Sequence, residues 1–597
     1  MNAITAVALL AAAWNLDEVS VQCQDPGRHR VAVRELETHL QLVKGAPVAS
    51  GGALRIAVGA LPPGEPVPAA YTSCARNVGD TIYLWGDDSR GYPGTLYAVY
   101  GFLRDRVGVD WSYPGPDGVV FDRRSELSFP DGFHDVFSPA YDIGRFRATW
   151  PNFYLELSAK IPDGLRWTAS EAKRVVSDIE TWHMRHRVFS KSNVQYGHAF
   201  TEWQDRFLAT HPDYLSLRDD GTRIGRKWQN KTTTKLCVSN PAVVDQVIAD
   251  WCAAGTNRFL NICENDGWNY CVCPSCKALD TDPPGEDFNK NKTDRYLWFW
   301  NRVSEKARKI RPDVKCITYI YSSYRFPPRR ERIENPDNML FGIVPSFADD
   351  VEKFVADWAK AGLKRFFLRP NFHCSYSILP RGVEKHIYDI YSYCLANGLE
   401  GVDFDSDFGR YPLRPENYVT CRMIAEPEGR FEDFMRDFCR SFGEAAPEMQ
   451  EYFARIRSRY EAQRANTAKE ALDLNLLDDS QLARFQLRAH SEEALLEDQV
   501  LLRRAAAKTI SSPAARKRMD DMLVFAEHYV LTYRFVMAFS DMKKDCDAFR
   551  AAAKKLLDFR LENQHVLRDV YGRNMADRRI WKGPENRIWP KTGLLRQ

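Results

Sequence analysis

Apolar residues along this chain fall into two patterns, short continuous runs and stretches with three- and four-residue spacing, and the way they alternate divides the sequence into regions. The first 137 residues carry strand-like runs at 54–58 and 81–85, separated by a Pro-rich loop at 61–68. Residues 95–106 then place Leu96, Val99, Tyr100 and Leu103 on one helical face, and Gly108 stops that helix. This pattern predicts a compact α+β domain over 1–137.

From 138 to 414 short apolar runs alternate with amphipathic helices, which predicts parallel strands joined by helical crossovers. Thr168 and Glu171 read as a capping box ahead of Ala172, Val175, Val176, Ile179 and Trp182. Asn240 and Pro241 read as cap and first helical residue of the next helix, and Gly255 ends it. Strand candidates lie at 140–146, 187–189, 234–238, 258–263, 315–321, 339–344, 364–368 and 399–404. Eight such runs match the α/β class and a (β/α)8 TIM-like barrel, with an open doubly wound sheet as the alternative. Beyond 415 the strands stop, and 431–452, 482–507, 514–539 and 542–571 read as helices of a C-terminal helical domain spanning 415–597.

Charge and composition narrow the function classes. The 597 residues carry 83 Lys and Arg against 80 Asp and Glu, a net +3, so no field of the kind that draws polyanions exists and nucleic acid is not an expected partner. With 44% hydrophobic and 12% aromatic residues the chain is a globular protein. The longest nearly apolar run, residues 4–14, is shorter than the roughly 20 residues that cross a bilayer, so no membrane span is expected. That run ends in Ala11-Ala12-Ala13 without a preceding basic residue. It reads either as a signal segment, which would make the protein secreted or periplasmic, or as an ordinary apolar start of a cytoplasmic one. Oligomeric state is not legible.

In parallel barrels the reacting groups stand where strands end. After the fourth candidate the chain reads Cys263-Glu264-Asn265-Asp266-Gly267-Trp268-Asn269-Tyr270. Two carboxylates at i and i+2 can share a barrel mouth, where proximity drives their pKa values apart, and Trp268 and Tyr270 suit the apolar faces of sugar rings. The bland alternative is that Glu264 and Asp266 hold the turn at Gly267. Further candidate liners are Asn193, Tyr196, His198 and Trp203 after the second run, Tyr319, Tyr321 and Tyr324 in the fifth, and Arg369, Asn371 and His373 after the seventh. Asp403, Asp405 and Asp407 alternate along the eighth and share one face, as sugar-hydroxyl acceptors, as ion partners for Arg369, or as part of a solvated loop.

Half of the 14 cysteines fall within 80 residues, and Cys271, Cys273 and Cys276 stand in six, directly beside the proposed site. With Cys237 as a fourth ligand they would make a structural zinc site; free thiols or a local disulfide are the alternatives. Nothing in the expected chemistry requires a cofactor, and no Walker-type phosphate loop, HExxH, GxSxG or kinase motif occurs.

The phrases His211-Pro-Asp-Tyr-Leu-Ser-Leu217 with Asp220-Gly221, Leu236-Cys-Val-Ser-Asn-Pro241, Asn265-Asp-Gly267 followed by the cysteine cluster, and Tyr296-x2-Phe-Trp-Asn301 resemble domain-of-unknown-function family 4838. Part of that family is classified as glycoside hydrolase family 163, endo-acting β-N-acetylglucosaminidases on complex N-glycans. Gly94-Thr-Leu-Tyr-Ala-Val-Tyr-x-Phe-Leu103, Gly108-Val-Asp-Trp111 and Pro114-Gly115 resemble the small domain that precedes α-glucuronidase and hexosaminidase barrels. The resemblance spans about residues 20–450 and implies a retaining, substrate-assisted glycosidase, in which the substrate's own 2-acetamido oxygen attacks the anomeric carbon. It implies a glycan substrate, with one carboxylate orienting the acetamide and a second protonating the leaving oxygen. Related hexosaminidase barrels carry both carboxylates after strand four, where Glu264 and Asp266 are the matching positions, and Asp266 lies within the family's Asn-Asp-Gly core. His198, Asn265, Trp268, Tyr270, Tyr319, Tyr321, Arg369, His373, Asp403 and Asp405 are the expected substrate contacts. The alternatives are an α-glucuronidase-like hydrolase with Arg369, Arg145 or Arg147 clamping the uronate, and an inactive glycan-binding protein.

Overall fold

The computed structural model describes residues 11–148, 151, 155, 167–225, 227–228, 231–232, 234–281, 290–345, 347, 349–373, 379–407, 414–469, 487–540 and 546–567. Residues 4–10 of the apolar start, the first part of the helix expected at 482–507, both ends of that expected at 542–571 and the side chain of Asp407 lie outside them. The chain forms two compact units: Met1–Lys191 with His373–Tyr388 and Ser406–Gln597, and Ser192–Phe372 with Asp389–Asp405. Among the described residues no helix is long and apolar enough to cross a membrane.

The first unit contains a five-stranded sheet in which Val19–Cys23, Leu54–Val58 and Thr81–Gly86 run parallel, while Ser73–Val78 pairs antiparallel with Thr81–Gly86 and with His134–Phe137. The predicted helix starts at Gly94, continues beyond Phe102 as a wide turn to Val107, and is closed by Gly108 in the left-handed region (φ 83°). Thr168 and Glu171 form the expected reciprocal cap of Ala169–Arg185. The C-terminal helices belong to this same unit. Arg518, within Pro513–Ser540, is buried and donates to the carbonyls of Asp117 (2.8 Å), Ser441 (2.6 Å) and Val119, so one guanidinium ties the end of the chain to its beginning. Leu531, Phe535, Phe549, Ala553 and Leu556 pack Pro513–Ser540 against Cys546–Glu562. The helix expected over 431–452 is two, Phe431–Arg440 and Ala446–Lys469, because Gly443 takes a left-handed φ of 59° between them.

The second unit carries the alternating pattern. Phe259–Asn261, Lys315–Ile320, Met339–Ile343, Phe366–Leu368 and Leu399–Asp407 lie side by side in chain order, every pairing parallel. That sequential order lacks the reversal of a doubly wound sheet and is the winding of a barrel. Six of the eight strand candidates are strands, the first of them as Ile143–Ala148 in the first unit, and two are not. Arg187 has a left-handed φ of 58° and Val188 N–H returns to the His183 carbonyl (3.0 Å), so 187–189 closes the preceding helix instead of extending. Residues 234–238 spend their hydrogen bonds antiparallel on 214–216: Cys237 N–H donates to the Tyr214 carbonyl (2.8 Å) and Ser216 N–H to the Lys235 carbonyl (2.9 Å). The described residues therefore form a parallel half-barrel, with irregular segments in place of two of the eight strands expected. The crossover helices Pro241–Ala253, Thr293–Ile310 and Val351–Lys360 carry the predicted apolar stripes.

Candidate active site

Strand Phe259–Asn261 delivers the acidic loop. Ala199 N–H donates to the Cys263 carbonyl (2.9 Å), and Asn265 Nδ2 donates to the Thr234 carbonyl (2.8 Å), which fixes 198–200 and 234–236 on either side of it. Both segments are irregular: 198–200 follows the run expected as the second strand, and 234–236 lies within the run expected as the third.

Glu264 and Asp266 are brought to very different surroundings. Glu264 is only 2% exposed. Its Oε2 accepts from Tyr296 Oη (2.8 Å) and Leu236 N–H (3.4 Å), and its Oε1 from Asn265 N–H (2.7 Å). Asp266 is half-exposed, and its Oδ2 lies 3.1 Å from His198 Nε2. His198 Nδ1 lies 2.9 Å from the backbone carbonyl of Glu264, so each ring nitrogen faces an acceptor. The hydrogen bond to Asp266 raises the His198 pKa above the ordinary imidazole value against the opposing effect of burial. Burial pushes Asp266 upward, but its bond to His198 and the charges of His198, Lys235 and Arg369 outweigh this and hold the carboxyl below its usual range. The two residues form an ion pair.

Lys235 and Tyr296 were not among the residues expected in the site. Lys235 is 1% exposed, donates through Nζ to the Asn265 carbonyl, and lies 4.8 Å from the centre of the Tyr270 ring. Burial lowers its pKa, while Glu264 and Asp266 pull the other way. Its signal was a lone cation inside the apolar run Thr234 to Val238. Tyr296 was legible only as the first residue of the phrase Tyr296-x2-Phe-Trp-Asn301, with no role attached to it.

The remaining strands add a cationic and aromatic wall at their C-terminal ends. Arg369 Nη2 lies 3.2 Å from Asp405 Oδ2 and Nη1 2.6 Å from Asn371 Oδ1, with the guanidinium 5.4 Å from the Tyr319 ring centre. Tyr196 donates to Asp403 Oδ2, and its ring packs edge-on against Tyr319 and Phe367. Tyr319 and Tyr321 are 6.4 Å apart, and burial, with Asp266 and Asp405 nearby, raises the Tyr321 phenol to about 12.

Of the expected contacts, Asp266, His198, Arg369, Asp405, Tyr319 and Tyr321 thus gather on one side. Trp268 is 56% exposed on the acidic loop. Asn265, Tyr270 and Asp403 are buried and serve their neighbours. His373 does not join them: it belongs to the other unit, is fully buried, and is held by Asn417 Oδ1 (2.9 Å) and Thr420 Oγ1 (3.1 Å). Trp203 is likewise core, packed on Phe200 and Phe207.

The family model described as Domain of unknown function (DUF4838) matches residues 122–454, which include every residue of this site. The chain belongs to the DUF4838 family. The sequence matches no curated protein. Among solved structures, this DUF4838 chain is similar to a family 89 glycoside hydrolase from Clostridium perfringens in complex with PUGNAc, at 10% identity over 91% of this chain and 66% of that one, with a TM-score of 0.46. It is similar to the family 20 exo-β-N-acetylglucosaminidase from Vibrio harveyi in complex with N-acetylglucosamine, at 10% identity over 72% and 73%, with a TM-score of 0.35. A third similar structure, CpGH84B, gives 10% identity over 96% and 97%, with a TM-score of 0.35.

Proposed function

We propose that this protein is a glycoside hydrolase acting on N-acetylglucosamine-containing glycans, with the Asp266–His198 ion pair as its reacting centre. The observation that carries the reading is that a half-exposed carboxylate, held ionised by His198, Lys235 and Arg369, sits beside an exposed indole and a wall of tyrosines. An ionised carboxylate suits the role that orients a 2-acetamido N–H and stabilises the positive charge growing on the sugar. In the substrate-assisted course the acetamide oxygen bonds to C1 as the C1–O bond to the leaving group breaks, the leaving oxygen takes a proton, and water then opens the cyclic intermediate. Glu264 is fully engaged by Tyr296 and two backbone N–H groups, which fits a positioning residue better than a proton donor. His198 carries the proton nearest to Asp266 and is the candidate donor.

The glucuronidase reading is less well supported, because Arg369 already faces Asp405 and Asn371. The deciding experiment compares aryl β-N-acetylglucosaminides with aryl β-glucosides and aryl glucuronides. A strong requirement for the acetamide is expected; equal cleavage of the glucoside, or cleavage of the glucuronide alone, overturns the proposal. Binding of glycans without turnover of any of them would instead mark a binding protein.

A further inference from the structure

The sequence left three readings of the cysteine cluster open, and the geometry separates them. The Sγ atoms of Cys237, Cys271, Cys273 and Cys276 all lie within 4.8 Å of one another. Cys237 Sγ is 3.7 Å from Cys273 Sγ and 3.9 Å from Cys276 Sγ. Four sulfurs each about 2.3 Å from a zinc ion at the centre of a tetrahedron stand about 3.8 Å apart. A disulfide needs about 2.05 Å and joins sulfurs in pairs, whereas here one sulfur is nearly equidistant from two others. Four thiols converging without an ion would have only weak S–H donors to satisfy one another.

The surroundings are those of thiolates. Leu217 N–H donates to Cys271 Sγ (3.2 Å), Cys276 N–H donates to Cys273 Sγ (3.4 Å), and Ser239 Oγ lies 3.1 Å from Cys276 Sγ. Such bonds orient ligand sulfurs and spread their charge. Three of the four cysteines are buried, and Cys273 is half-buried as the cap of the short helix Pro274–Ala278. With four protein sulfurs converging, no coordination position is left for water, which is the arrangement of a structural site and not of a catalytic one.

We propose that Cys237, Cys271, Cys273 and Cys276 form a tetrathiolate zinc site that clamps the two segments carrying Lys235 and the Glu264–Asp266 loop. Zinc binding releases the thiol protons and leaves a site of net charge −2. Cys237 follows Lys235 by two residues and Cys271 follows Asp266 by five, so the ion fixes both segments close to the ion pair. Arg295 reinforces the same ribbon, donating through Nη1 to the Cys271 carbonyl (2.8 Å) and through Nε and Nη2 to Asp280 (2.9 and 2.6 Å). The proposal stands whether or not the protein cleaves glycans.

The test is elemental analysis of the full-length protein purified without added metal. About one equivalent of zinc is expected. After removal of the metal by a chelator under reducing conditions, cobalt(II) should restore one equivalent and give the intense absorption of tetrahedral cobalt bound by thiolates. Hydrogen exchange over residues 264–276 should speed up in the stripped protein and return on adding zinc. Cys276→Ser should lower the zinc content below a tenth of an equivalent if the soluble protein is recovered. Less than a tenth of an equivalent of zinc in the wild-type protein, a mapped disulfide among these four residues, or one equivalent of iron in place of zinc would each overturn the proposal.

Discussion

His198 Nε2 stands 3.1 Å from Asp266 Oδ2 while the other ring nitrogen, 2.9 Å from the Glu264 carbonyl, has no acceptable partner unless it too carries a proton. The pair therefore favours the imidazolium. A raised His198 pKa contributes stability that is complete below the ordinary imidazole value of about 6.5 and is lost as pH rises through the raised value. A lowered Asp266 pKa contributes stability that is present above the ordinary value of about 3.9 and is lost as pH falls through the lowered one. The ion pair exists between these limits. Titration of the His198 ring followed by NMR should give a midpoint above that of free imidazole, and Asp266→Asn should bring it down. A wild-type midpoint at or below the free value would refute the ion pair.

Glu264 makes a different prediction, because its carboxylate is buried and its partners are protein groups. Tyr296→Phe removes one of them without opening a large cavity, and leaving a buried acceptor short of a donor costs about 1–3 kcal/mol. Chemical denaturation should show that loss for Tyr296→Phe. Glu264→Gln should act through the position of Asn265 and Asp266, lowering activity by the same factor for good and poor leaving groups. A selective loss on poor leaving groups would make Glu264 the proton donor instead.

Gly342 tests how closely the sheet supports the site. A Cβ at this position would lie 2.5 Å from Cζ of Phe367, a ring that is itself fully buried and packs edge-on against Tyr196. The ring has nowhere cheap to go, so Gly342→Ala should cost about 1–3 kcal/mol, the usual range for overpacking. It should also disturb Tyr196 and through it Asp403. Thermal unfolding that leaves the midpoint unchanged would show that the ring relaxes freely.

Local signals were the legible part of the sequence. The Thr168–Glu171 cap, the Asn240-Pro241 helix start and the Gly255 stop are written in adjacent residues and appear as read. The segments at 187–189 and 234–238 have the composition of strands, but their hydrogen bonds go to a helix end and to an antiparallel neighbour, choices made by distant backbone. In the site, the position of the acidic loop after a strand was readable from alternation. The opposite fates of Glu264 and Asp266, two residues apart, were not, because they depend on Tyr296, 32 positions on, and on His198, 68 positions back. His373 shows the reverse error: its place after a strand suggested the mouth, yet its two nitrogens are taken by Asn417 and Thr420.

Arg369 separates the two hydrolase readings. Its charge is one of the influences that hold Asp266 below the usual carboxylate range, and its own fork is occupied by Asn371 and Asp405. If Asp266 must be ionised for turnover, Arg369→Met should raise the Asp266 pKa and move the acid limb of the pH–rate profile to higher pH, because activity is then lost at a milder acidity. Arg369→Lys keeps the charge and should leave that limb nearly in place, while the loss of the planar fork loosens Asn371 and Asp405 and raises KM. A uronate clamp predicts another pattern: both variants would lose glucuronide hydrolysis, the lysine variant less than the methionine one, with no displacement of the acid limb. Profiles of kcat/KM for the wild-type protein and the two variants on an aryl β-N-acetylglucosaminide and on an aryl glucuronide read the difference directly. An acid limb that stays fixed in Arg369→Met would detach Arg369 from Asp266 and leave it as a support for Asp405 alone.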